Sequence, residues 1–167
     1  IHAVDRGQMA AAEPLPLPDV SFLPEDTVRD ATRLRAQALA ALRTGQTIGR
    51  FDPAYARRLT DGDGNGWTEE ARGLLATKTD DWRQQQQFPQ DAAASAYLGL
   101  TRATTPRQQA AALHVLSEAL ERKSLWRPAI EAMKASLAIV DTPEGQQRFA
   151  ELRAEHGFRI LDYSVDS

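Results

Sequence analysis

The chain has 167 residues, of which 42% are hydrophobic and 26% charged, the composition of an ordinary globular domain with a core of its own. A formal net charge of -3 and a pI of about 5.6 give no electrostatic footprint for nucleic acid or an anionic membrane surface. The absence of cysteine excludes disulfides, thiolate nucleophiles and cysteine-based zinc sites together.

The chain opens on Ile1 rather than Met and is expected to be a piece of something longer. Residues 1–24 carry Pro14, Pro16, Pro18 and Pro24, with leucines between the first three. Alternating proline blocks helix and favours an extended path, so this segment is expected to be an arm, docked through Leu15 and Leu17, or a linker. No apolar run approaches the roughly 20 residues that span a bilayer, and direct membrane insertion is not expected.

A first long helix is predicted over 25–43, with Val28, Ala31, Leu34, Ala38 and Leu42 as its core stripe and Gly45 as its stop. Glu25 and Asp26 in its first turn and Arg43 in its last suit the helix dipole. A short helix over 53–59 follows, capped by Asp52 with Pro53 at the first helical position.

Asp61-Gly62-Asp63-Gly64-Asn65-Gly66-Trp67 is the most suggestive chemical motif. Oxygen side chains at alternate positions followed by glycine are how a loop wraps a calcium ion, with Asp61, Asp63 and Asn65 as side-chain ligands and the Trp67 carbonyl as a fourth. The pattern then departs from a calcium loop. Arg72 stands where a bidentate Glu should close the site, and polar Thr68 stands in the middle of the loop. The competing reading is a Gly-rich turn leading into a helix capped by Thr68, with Glu69 and Glu70 in its first turn. No other cofactor is expected.

The helix over 68–77 should pack through Ala71, Leu74 and Leu75. A short helix begins at Trp82 and is expected to end before Pro89. Asp91 is expected to cap a further helix over 91–104 that packs through Ala94, Tyr97, Leu98 and Leu100, with Gly99 marking a close helix approach. Thr105-Pro106-Arg107-Gln108 is a strong start signal, and Leu113, Leu116 and Leu120 form the stripe behind it. Trp126, Ala129, Ile130, Met133, Leu137 and Val140 then share one helix face, so the two stripes predict a helical hairpin. Thr142 and Pro143 begin a last helix, packed through Phe149 and Leu152 and stopped at Gly157. From Leu161 the period changes to two, which predicts a strand. The expected architecture is all-α, an irregular array of about seven helices, with an extended arm over 1–24, a helical body over 25–157 and a short strand over 158–167.

The residues predict little chemistry. His2, His114 and His156 have no metal-motif spacing, and the acidic glycine run lacks the lysine of a phosphate loop. Trp67, Trp82 and Trp126 sit at helix starts and read as core anchors. No catalytic residue is assigned and no enzyme is expected.

The pair over 110–143 resembles a tetratricopeptide repeat, through Leu113, Leu116, Ser117 and Leu120 on its first helix, Ala129, Met133, Ser136 and Leu137 on its second, and Pro143 after the turn. Small residues at Ser117, Ala129 and Ser136 allow a close approach. The segment from His156 through Phe158, Tyr163 and Val165 to Ser167 resembles the entry into the first β-sandwich domain of bacterial alpha-2-macroglobulin-like proteins, and 120–140 is similar to a helical segment that precedes those domains in some of them. That resemblance implies a protease trap, export to the periplasm, cell envelope or exterior, and a strand at 158–167 belonging to a following macroglobulin domain. It implies neighbouring macroglobulin domains as partners, with other envelope proteins or proteases as further ones. The family's reactive thioester needs Cys-Gln, and this stretch has no cysteine, so the implied role is non-catalytic: spacing or docking the trap. The repeat resemblance implies a rival role, a peptide- or protein-binding adaptor.

Overall fold

The computed structural model describes residues 13–157. The predicted strand and the first twelve residues of the arm lie outside them. Among the described residues the chain forms α1 (Glu25–Thr44), α2 (Pro53–Asp61), α3 (Gly64–Ala76), α4 (Trp82–Thr101), α5 (Pro106–Arg122), α6 (Trp126–Ile139) and α7 (Pro143–His156), with no strand, only an isolated bridge between Ile48 and Phe51. The fold is therefore an all-helical array.

Side chains cap five of these helices. Asp52, Asp63, Asp81, Thr105 and Thr142 each accept a hydrogen bond from a backbone N–H of the following turn. Pro53, Pro106 and Pro143 stand at first helical positions, where a missing N–H leaves nothing unpaired. Gln108 reaches back to the N–H of Thr104 (2.9 Å), one residue before the cap. Gly45 ends α1 in the left-handed conformation at φ 70°, as its position predicts. In the α5–α6 turn Ser124 takes that conformation at φ 60°, while Leu125 donates to the Leu120 carbonyl.

Three elements differ from expectation. α4 does not break at Pro89 but runs through it, so the two helices read on either side of that proline are one. An internal proline removes a backbone hydrogen bond. Burial of Pro89 and of Asp91 two residues on holds the helix together instead. Asp91 is accordingly a mid-helix ion-pair acceptor rather than a cap. α3 begins at Gly64, four residues before Thr68, because Asp63 supplies the cap; Thr68 is a buried packing residue. The α1 stripe is rotated, with Thr27 and Ala41 buried, Val28 39% exposed and Leu42 only partly covered.

α4 is the axis of the fold. Ala92, Ala93, Ala96 and Leu100 face a cluster built with α3, α5 and α6, while Ala94 and Leu98 face a second built from α1, α2, Phe51 and Trp67. A helix packed on both sides must be narrow, which accounts for its alanines. Gly99 meets α3 where Gly64 and Thr68 cross it: a Cβ there would lie 3.0 Å from the Gly64 carbonyl oxygen and 3.1 Å from the Thr68 nitrogen. The close approach expected of Gly99 is present. α7 closes the array through Leu152 and Phe149 against Ile130, Met133 and Leu137. The arm docks: Leu15 donates its N–H to the Ala103 carbonyl (2.8 Å), Gln109 donates to the Pro16 carbonyl (3.0 Å), and Val20, Phe22 and Leu23 pack on the central cluster. Leu15 is half-buried, whereas Leu17 is exposed.

Candidate functional site

The α5–α6 hairpin is locked by two reciprocal bonds. Ser117 on α5 donates to the Ala129 carbonyl on α6 (2.7 Å), and Ser136 on α6 donates to the Ala110 carbonyl on α5 (2.8 Å). Both serines are buried, so small size and hydroxyl chemistry act together: the helices come close enough for a side chain on one to satisfy itself on the backbone of the other.

Beside this joint lies a cleft of about 310 Å³ lined by Arg72 of α3, Arg107, Ala111, His114 and Glu118 of α5, and Val140 after α6. None of the described arm residues lines it. Arg72 pairs with Glu69, whereas Arg107 makes no ion pair among the described residues. His114 faces Glu118 at 3.9 Å. Burial pushes the His114 imidazole below its ordinary pKa; Glu118 opposes the shift, and Arg148 and Arg72 add to it. The ring is therefore neutral at pH 7. The cleft offers two guanidinium groups, a neutral imidazole and one carboxylate around a floor of alanine. Ser136 and Thr142 also line the cleft, the Ser136 hydroxyl donating to the Ala110 carbonyl and the Thr142 hydroxyl accepting from the Gly145 N–H, and the surface can orient an anionic group.

Elsewhere the ionisable groups meet across helix joints. Asp91 of α4 accepts from Arg33 of α1 (3.1 Å), Arg50 (3.3 Å) and Gln87 (2.9 Å). Arg50 also pairs with Glu70 of α3, which accepts from the Tyr55 hydroxyl of α2. Burial, and then the Glu70 carboxylate, push the Tyr55 phenol above the usual tyrosine range. Arg148 of α7 reaches both Ser117 and Glu121 of α5, each at 3.2 Å. Sequence reading missed these networks, whose members lie 41 or 58 positions apart in the Arg50–Asp91 and Arg33–Asp91 pairs and so share no local pattern.

The three calcium candidates lie where α2 ends and α3 begins. Asp61 closes α2 and pairs with Arg57 (3.6 Å). Asp63 accepts from the Asn65 N–H on one oxygen and from Gln108 on the other (2.9 Å). Asn65 is exposed in the first turn of α3. The backbone there is a helix start rather than a wrap. Of the tryptophans, Trp67 is buried in the core, Trp126 stacks on His156, and Trp82 is 62% exposed, with Arg83 over its ring. His2 lies outside the described residues. Comparison with known protein families, curated proteins and solved structures finds no match to this chain.

Proposed function

We propose that the chain is a non-catalytic helical module of an exported bacterial alpha-2-macroglobulin-like protease inhibitor, which spaces or docks the protease trap. One observation carries the reading beside the sequence resemblance. Among the described residues, Asp91, Glu70 and Glu121 each tie separate elements together through an arginine. A body so cross-braced supplies form rather than reaction. α7, the last described helix, is tied to α5 by Arg148, so an element joined after it would be held at a fixed angle. The test is the reading frame beyond Ser167. Strands of alternating hydrophobicity over the next ~100 residues are expected, the length of one sandwich domain; a helical or low-complexity continuation would overturn the reading.

A second reading, a tetratricopeptide-like adaptor for an acidic peptide, is favoured by the cleft between α3, α5 and α6, which carries Arg72 and Arg107 and is lined by none of the described arm residues. A fluorescein-labelled Asp/Glu-rich decapeptide is the probe. Saturable, salt-sensitive binding that Ala111→Trp abolishes supports it, and binding indifferent to Ala111→Trp refutes it.

A further inference from the structure

We propose that Glu121, Glu155 and His156 form a binding site for a first-row transition-metal dication of the zinc type, clasping α5 to the end of α7. His156 Nε2 lies 2.9 Å from Glu121 Oε2 and 3.7 Å from Glu155 Oε2. All three donor atoms lie within 4.8 Å of one another. Zinc bonds to nitrogen and oxygen of about 2.0–2.2 Å set tetrahedral donor separations of roughly 3.3–3.5 Å, so the observed spacing brackets what the ion needs. Glu155 makes the required adjustment, because its side chain is 64% exposed and swings without disturbing the core.

Two further features point to a cation rather than to a plain ion pair. His156 is only 8% exposed, and its ring is fixed by stacking on Trp126, with centroids 3.9 Å apart and planes within 6°. Its Nδ1 is buried without a partner, so the stack on Trp126 alone orients the ring on that side. The single Nε2 edge also faces two carboxylates, and one N–H can serve only one of them. A dication serves all three donors at once. Arg148 holds the other oxygen of Glu121 at 3.2 Å, leaving Oε2 turned toward the imidazole. Its positive charge opposes the ion and makes this an open, moderate-affinity site. Imidazole with carboxylates suits zinc, nickel or copper, whereas calcium takes six to eight oxygens. Adjacent positions in sequence gave no reason to expect Glu155 and His156 to share a site; the end of α7 brings them together.

Zinc chloride added to the full chain, followed by thermal melting and by tryptophan fluorescence, tests the site. At about a hundredfold excess over Kd the melting temperature should rise by about 5–10 °C. Trp126 emission should change as its stacked ring is ligated. Glu155→Gln should weaken zinc binding about tenfold or more while leaving the metal-free melting temperature unchanged, which separates ligation from folding. His156→Gln should abolish the shift. A melting temperature indifferent to millimolar zinc overturns the proposal. So does a shift that survives Glu155→Gln unchanged, or one that disappears in His114→Gln, which would place the ion on the His114–Glu118 pair instead.

Discussion

Gly99 lets one substitution report on the central crossing of the fold. Gly99→Ala places a methyl group onto the Thr68 hydroxyl and within 3.0 Å of the Gly64 carbonyl oxygen and 3.1 Å of the Thr68 nitrogen. The hydroxyl can rotate away, but the other two atoms belong to the α3 backbone and can yield only if the helix moves. Overpacking of this kind costs typically 1–3 kcal/mol, and immobile backbone puts this site at the upper end. Alanine returns about 1 kcal/mol of helix propensity, so the net loss is about 2 kcal/mol. In a chain of this size that lowers the melting temperature by about 4–8 °C. Gly73 is the internal control. It lies on the exposed face of α3, a Cβ there meets nothing within 4 Å, and Gly73→Ala should therefore raise the melting temperature by about 2–4 °C. Thr68→Ala should be less damaging in the Gly99→Ala background than alone, because it removes one of the three overlaps; a double-mutant cycle followed by circular dichroism reads that coupling. A Gly99→Ala protein that melts at or above the parent would refute the close crossing.

Ser117→Ala should destabilise by roughly 1–2 kcal/mol, since it leaves the Ala129 carbonyl and an Arg148 donor short of a buried partner; a lower urea midpoint at unchanged m-value is the readout. His114 supplies a pH signature. Its folded-state pKa lies below the ordinary 6.5, so the unfolded chain binds the proton first. The contribution is intact above that value and is lost as pH falls through it toward the folded-state pKa, and His114→Gln should flatten stability against pH in that window. Calcium should leave the melting temperature unchanged, because both Asp63 oxygens are engaged and Asp61 sits on a helix end; a rise of several degrees would make the loop a calcium site.

The helices were legible because their signals are local. The pairs Asp52 with Pro53, Thr105 with Pro106 and Thr142 with Pro143 each mark a start within two residues, and the structure places the caps there. Stripes such as Leu113, Leu116 and Leu120 need only the helical period to predict a buried face, and all three are buried. Where local signals competed, tertiary contacts chose. Pro89 reads as a breaker on its own, yet packing of α4 between two clusters outweighs one lost hydrogen bond. Thr68 reads as a cap in isolation, yet it is buried against Gly99 and Asp63 takes the role.

The candidate sites belong to the second kind. Arg72 and Arg107 share a cleft, and Glu121 meets His156, only because α3, α5 and α7 are stacked in one order. Sequence by itself determined that the body is helical and where most helices start, since both follow from interactions within a few residues. The tertiary structure alone decided which charged groups face one another, because electrostatic pairing depends on distance in space and carries no period along the chain.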